Sequence, residues 1–318
     1  MDAEDAAQIA DALRDALSAQ PARTRDFLVE FGWHELMVDE TEVAVSSLFT
    51  LAGELLLPGS QLDAVLLAAA GEEFGGIEAR VVLPPPGTSR PAGRRVDGHT
   101  VSFAGIVQAG TAPILVPLRD DDGRHSFAVC DAPDDVPGNP LDAAAGWVRT
   151  TATASVCTTL DVADPTAAWD AMVAAGRRAL SHELVGVGSA MMRMTVDHVG
   201  SREQFNQALG AFQAVKHQLA DVHLWHQIAE LSADAAWEAA DGPSAALAKA
   251  AAIRSSRSAR AVCQQLLGGM GFTWEHDFHR YLRRALTVEP LLGSAAELHA
   301  ELGATLRSGG LKVSLISL

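Results

Sequence analysis

His182 and Glu183 stand side by side, a pairing suited to proton transfer because an imidazole and a carboxylate can exchange acid and base roles near neutral pH. Nothing else in the chain extends that pair toward a hydratase. His217, His223 and His226 fall on one predicted helix with Asp221, and His223 and His226 are placed to share a metal. No companion Glu-x-x-His motif appears on a second helix, so a di-metal bundle is not supported and no metal is expected. Trp274-Glu275-His276-Asp277-Phe278-His279 also has metal-like content, although a packing role fits it better. Arg254, Arg257 and Arg260 recur at every third position and can meet phosphates, with a solvated helix face as the simpler account. Two further segments stand out. Arg202 lies in Ser201-Arg202-Glu203-Gln204-Phe205, and a guanidinium is a permanently charged, bidentate donor that suits a phosphate. Gln265-Leu266-Leu267-Gly268-Gly269-Met270-Gly271-Phe272 ends an apolar run on paired glycines, which permit close backbone approach. Taken alone, Arg202 reads as a surface ion pair and Gly268-Gly269 as a helix end. Neither Gly-x-Ser-x-Gly nor a P-loop is present.

These residues sit in a 318-residue chain that is 48% apolar and 20% charged. That length buries about three quarters of the surface its unfolded form exposes and allows two or three domains. The net charge of −16 repels phosphate backbones, which argues against nucleic acid as a partner and requires a local basic patch for any coenzyme A site. Cys130, Cys157 and Cys263 are widely spaced, so three reduced thiols are expected rather than a zinc site or disulfides. No apolar run is long enough to span a bilayer, and the opening Met1-Asp2-Ala3-Glu4-Asp5 is acidic where a signal peptide is basic. The expected compartment is the cytoplasm, with no membrane partner.

Three regions are expected to position the chemistry. Residues 1–77 read as a helical domain: Ile9, Leu13 and Leu17 keep four-residue spacing, Phe27, Leu28, Phe31 and Leu36 form a second amphipathic segment, and Val43 to Leu57 is a buried helix. A further helix, Gln61 to Ala70, ends at Gly71. Residues 78–162 read as a small β-barrel or sandwich. Its strand candidates are Arg80–Leu83, His99–Phe103, Pro113–Pro117 and Ser126–Val129, with a hairpin turn at Asp121-Asp122-Gly123. Residues 163–318 read as a bundle, with helices from Thr166 to Val199, Phe205 to Asp241, Pro243 to Leu267 and Ser294 to Leu306, opened by an Asp164-Pro165 N-cap. The tail from Ser308 is expected to be mobile. The fold class is mainly α with a small central β domain.

This order, helical domain, β domain, four-helix bundle, resembles the acyl-CoA dehydrogenase family over nearly the full chain. Gly32-Trp33-His34-Glu35-Leu36 is similar to the family's G-W-x-x-L. Arg202-Glu203-Gln204-Phe205 with Phe212-Gln213-Ala214-Val215-Lys216 and Leu219-Ala220 resembles R-x-Q-F-G…F-Q-x-x-x-x-x-L-A. Gln265 to Phe272 with Arg280-Tyr281-Leu282-Arg283-Arg284 resembles Q-x-x-G-G-x-G-F…R-x-x-R-D. The resemblance implies FAD as cofactor, lying across a dimer interface. It implies that Arg202 reaches the pyrophosphate of the FAD held by the neighbouring subunit, that Phe205 packs near its adenine end, and that Gln265, Gly268 and Gly269 approach the same cofactor.

The family's chemistry also needs a carboxylate that removes the substrate's α-proton while the β-hydride goes to flavin N5; burial raises a glutamate toward the working pH. The family places that base in one of two spots. In this sequence the first falls on Leu292, within Leu291-Leu292-Gly293-Ser294, and the second on Gly176, beside Arg177. Neither residue accepts a proton. Glu289 and Glu183 are substitutes close in sequence, each more simply read as a solvent-facing or salt-bridged carboxylate. The ring-cradling T-E-P-x-x-G-S loop becomes Leu83-Pro84-Pro85-Pro86-Gly87-Thr88-Ser89, where consecutive prolines remove backbone donors. The W-I-T-N-G strand becomes Phe103-Ala104-Gly105-Ile106, keeping at most an aromatic face at Phe103. Asp39-Glu40-Thr41-Glu42-Val43 stands where many members have a P-E-x-x-G-G turn, in an N-terminal domain expected to be shortened. The loss of one half of the composite site resembles the small subunits of actinobacterial heteromeric (α2β2) acyl-CoA dehydrogenases, which act on CoA esters of steroid side chains and similar bulky acids. There a catalytic homologue supplies base and ring contacts, one flavin serves each heterodimer, and electrons pass to an electron-transfer flavoprotein. Two other readings remain open: a self-sufficient homomeric enzyme using Glu289 or Glu183, and a flavin-free scaffold or CoA-thioester-binding protein.

Overall fold

Apolar residues at helical spacing build α1 (Ala3–Ala19), α2 (Thr24–Phe31), α3 (Trp33–Asp39), α4 (Thr41–Leu55) and α5 (Leu62–Ala70). The computed structural model describes residues 3–132 and 140–310. Met1, Asp2 and the tail beyond Gly310 therefore lie outside the described residues. The amphipathic segment expected from Phe27 to Leu36 divides into α2 and α3 because Gly32 takes φ 73° and ends the first helix. Trp33 is fully buried at that junction, and its Nε1 donates to the carbonyl of Ala44 at 2.9 Å.

The β domain comprises β1 (Arg80–Val81), β2 (Gly93–Arg95), β3 (Thr100–Gln108), β4 (Ile114–Arg119), β5 (His125–Cys130) and β6 (Trp147–Thr159). The strand order is β1-β4-β2-β3-β6-β5, and β5 also pairs with β4, which closes the sheet on itself. The Asp121-Asp122-Gly123 turn joins antiparallel β4 and β5, with Arg119 opposite His125. β2 and β6 were not among the expected strands: β2 is short, and β6 is rich in Thr, Ala and Ser, so its apolar alternation is faint.

The bundle consists of α6 (Pro165–Ser201), α7 (Gln213–Ala239), α8 (Gly242–Leu267), α9 (Phe278–Val288) and α10 (Ala295–Arg307). Asp164 caps α6, its Oδ1 accepting from the backbone N–H groups of Thr166 and Ala167 at 3.1 and 3.0 Å. At 37 residues α6 runs about 55 Å. Its middle, from Met172 to Gly188, is buried almost throughout, so it serves as the central post. α4 crosses it where an added Cβ at Gly53 would lie 2.1 Å from the Glu183 carbonyl oxygen. α6, α7 and α8 run up, down and up through short connections, so α6 and α8 finish at the same end of the bundle. Met191 of α6 packs there with Cys263 and Leu267 of α8 and Phe278 of α9.

One expected helix is corrected. The segment from Phe205 does not enter a helix. Glu203–Gln204 (β7) and Gln207–Ala208 (β8) form a small hairpin, and α7 begins only at Gln213. Phe205 and Asn206 form its turn at φ 55° and 63°, the left-handed pair that a two-residue hairpin requires.

Candidate functional site

The two positions at which the resemblance places a base meet in space. An added Cβ on Gly176 of α6 would lie 2.3 Å from Cδ1 of Leu292 and 2.9 Å from Cδ2 of Leu66 on α5. Leu292 is fully buried in the turn between α9 and α10. A carboxylate at either position would enter a contact closed by leucine, where an unpaired charge is costly. Gly176→Ala is expected to overpack this point and cost about 1–3 kcal/mol. Leu292→Ala alone opens a cavity, whereas the double variant lets the new methyl occupy vacated space. Thermal melts should show the double variant less destabilised than the sum of the singles by about 1 kcal/mol or more; additive losses would contradict the contact.

Buried cations hold the turn that carries Leu292. Lys249 of α8 is fully buried, and its Nζ donates to the carbonyls of Val288, Glu289 and Leu291 at 3.3, 3.0 and 3.3 Å. Arg177 donates from Nε to the carbonyl of Leu292 at 3.0 Å and grips Glu301 of α10 with two bonds of 2.8 Å. Burial pulls the Lys249 ammonium down to about 7, against the attraction of Glu289. Between that value and the ordinary lysine value the unfolded chain binds more protons than the folded one. Stability is therefore expected to rise with pH across about 7 to 10. Chemical denaturation at a series of pH values should show this slope and its loss in Lys249→Met; a slope identical in both would contradict it.

The two substitute carboxylates are committed elsewhere. Glu289 is buried and accepts from Ser256 Oγ at 2.9 Å, Arg260 Nη2 at 2.7 Å and Arg257 Nε at 3.3 Å. Glu183 faces Arg284 of α9, whose Nη1 donates to it at 3.1 Å while Nε donates to Asp142 at 2.5 Å. The same guanidinium donates to the carbonyls of Ala52 and Leu57 at 3.2 and 2.9 Å. Burial raises the Glu183 carboxyl and Arg284 opposes that rise. His182 points the other way: its Nε2 accepts from Trp237 Nε1 at 3.0 Å, and burial pushes it down to about 4. The adjacent pair is thus split between two sides of α6.

The remaining clusters also separate. His226 is buried against Ser189 at 2.9 Å and Glu230 at 3.3 Å, whereas His217, His223 and Asp221 are exposed. Among the described residues no group of three candidate metal ligands converges. Arg254 stacks on Trp225 at 4.6 Å, while Arg257 and Arg260 are pinned to Glu289, so the row does not face a phosphate together.

Arg202, Gln265, Gly268 and Gly269 gather at the shared end of α6 and α8, all exposed. Arg202 caps α6, and its side chain has no partner among the described residues. Gly268 stops α8 at φ 59°, a backbone that favours glycine. Gly269 has no such constraint, and an added Cβ at either glycine meets nothing within 4 Å. Their open faces therefore look outward, away from their own chain. Phe205 is 87% exposed on its hairpin, with Phe272 and Trp274 at 75% and 73%. An unpaired guanidinium beside open glycines and exposed aromatic faces fits the phosphate and adenine end of a dinucleotide.

The ring side does not fit in the same way. A cleft of about 370 Å³ lies between the β domain and the α9–α10 turn, lined by Pro86, Ile106, Trp147, Arg149, Thr287 and Leu291. Its walls mix proline and aliphatic side chains with the polar Arg149 and Thr287. The Ile106 N–H donates to the Leu83 carbonyl at 3.0 Å, and both Ser89 donors reach Glu297 of α10, at 2.8 and 3.3 Å. Phe103 does not offer an aromatic face: it is buried inside the barrel with Val82, Val101 and Val116. Of the polar atoms there, Thr287 Oγ1 is buried without a partner. Lys249 and Trp147 are not among the residues the sequence points to, and Arg284 enters there only as the last position of the R-x-x-R-D match, without its buried network.

Residues 168–304, from α6 into α10, match the acyl-CoA dehydrogenase C-terminal domain. A similar relative is the acyl-CoA dehydrogenase FadE34 of Mycobacterium tuberculosis, 33% identical over 77% of this chain and 34% of its own length. The chain thus spans about a third of that relative. Among solved structures, the ChsE4–ChsE5 complex of Mycobacterium tuberculosis aligns with TM-score 0.72 at 21% identity, covering 96% of each chain. A glutaryl-CoA dehydrogenase of Mycobacterium smegmatis in complex with FADH2 aligns with TM-score 0.68 at 18% identity, covering 99% of this chain and 96% of that one. These likenesses establish the fold. Among the described residues no helix is long and apolar enough to cross a membrane.

Proposed function

We propose that this chain is a non-catalytic subunit that completes the FAD site of a homologous catalytic acyl-CoA dehydrogenase. The observation that carries the reading is the asymmetry of the site. Outward-facing phosphate-end residues, Arg202, Phe205, Gln265, Gly268 and Gly269, coexist with a base position sealed by Leu292, Leu62 and Leu66. The surface around them supports a partner. Leu224, Ile228 and Leu231 form an exposed stripe on α7, and Met270, Phe272 and Trp274 are exposed beyond α8; clustered exposed apolar side chains favour an interaction site. The ChsE4–ChsE5 neighbour is itself a complex.

Bound FAD would supply the hydride acceptor for α,β-desaturation of an acyl-CoA thioester, a capacity no side chain supplies. This chain's residues bind and orient: Arg202 neutralises phosphate charge, and the open glycines admit the cofactor. The partner contributes the carboxylate, the ring contacts and the route by which electrons leave for an electron-transfer flavoprotein. The chain purified alone is expected to be colourless and inactive, and to gain both flavin and activity on co-purification with a longer homologue bearing an intact glutamate. A yellow, active homodimer would overturn the reading in favour of a self-sufficient enzyme.

A further inference from the structure

Within the Trp274–His279 segment, Trp274 and Phe278 have roles above, but His276 and His279 do not. The segment is nonetheless closely built. Trp274 lies between the Arg283 guanidinium at 4.4 Å and the His279 ring at 4.6 Å. Phe278 is fully buried and anchors the segment against Met191 and Met194 of α6. That anchor places His276, two residues earlier, beside the last turns of α6, which carry His198 and then Arg202. Burial lowers His198, and the nearby His276 and Arg202 lower it further, which puts His276 and the Arg202 guanidinium on the same side of the α6 end.

The backbone fixes the tautomer of His276. Its Nδ1 accepts from the Phe278 N–H at 3.2 Å, so the ring proton resides on Nε2. His279 Nδ1 meets the His276 carbonyl at 2.9 Å and steadies the same turn. Nε2 has no partner among the described residues, and the ring is half-buried. An outward N–H of fixed direction, on the same side as an arginine with no ion pair among the described residues, is placed to donate to an anionic acceptor.

We propose that His276 Nε2 is a second donor, with Arg202, to the pyrophosphate of the dinucleotide cofactor held by the partner. This rests on the proposed FAD-completing role. Two substitutions separate the atoms. Asn at this position keeps an acceptor near Nδ1 for the Phe278 N–H but removes the outward donor. Gln keeps a donor near Nε2 but loses the turn contact. The test is FAD affinity by calorimetry on the flavin-stripped heteromeric complex, with Arg202→Ala as a control and heteromer size monitored throughout. His276→Asn is expected to weaken FAD roughly tenfold or more, with His276→Gln within about threefold of wild type. If Arg202→Ala weakens FAD and His276→Asn does not, the inference fails while the FAD-completing role stands. If neither changes affinity, that role fails as well. Equal loss in both His276 variants with dissociation of the heteromer would make this residue an interface contact and overturn the donor assignment.

Discussion

Arg284→Met is expected to destabilise the chain by about 3–5 kcal/mol, because it leaves two buried carboxylates without their cation. Arg284 is fully buried and reaches Glu183 on α6, Asp142 before β6, and the carbonyls of Ala52 and Leu57 at the end of α4. A single guanidinium therefore joins the N-terminal helices, the β domain and the bundle. The variant's deficit should shrink as pH falls. Burial already raises the Glu183 carboxyl, so without Arg284 the folded state takes up a proton more readily than the unfolded chain, and acid favours folding. Adding Glu183→Gln should recover part of the loss at neutral pH. Denaturant melts at pH 5 and pH 8 measure both effects; a variant as stable as wild type at pH 8 would show that the network is not a fastening.

The second large effect concerns the cofactor. Arg202→Ala in the heteromeric complex is expected to weaken FAD binding roughly 10- to 100-fold, the cost of a lost charge-assisted contact to phosphate. The chain's own stability should hardly change, since this side chain is exposed and unpaired among the described residues. A structural arginine would show the opposite pattern, with stability lost and flavin retained. Flavin released on gel filtration, paired with the melting midpoint of the isolated chain, distinguishes the two.

Local signals in the sequence were sufficient where one short-range interaction decides the outcome. Asp164-Pro165 caps α6 because an Asp side chain reaches its own helix start, and Gly268 ends α8 because its backbone needs a positive φ. The same reasoning missed α9. Phe278, Tyr281, Leu282 and Ala285 keep the helical period, but Arg280, Arg283 and Arg284 give the stretch a polar look, and nothing local shows that Arg284 turns inward. The sequence predicts a helix from Phe205 because the left-handed turn there lacks glycine. That Leu292 and Gly176, where the resemblance places a base, carry no carboxylate is read directly from the residues. That the two positions touch, and that Lys249 and Arg177 fasten the turn between them and α10, is not, since each contact joins elements far apart in sequence.

The account is tested most directly by flavin stoichiometry. The heteromeric complex, purified to homogeneity and quantified by flavin absorbance against protein, is predicted to hold one FAD for each pair of chains, with none on this chain in isolation. Two FAD per pair, or a saturable flavin site on the isolated chain, would contradict it.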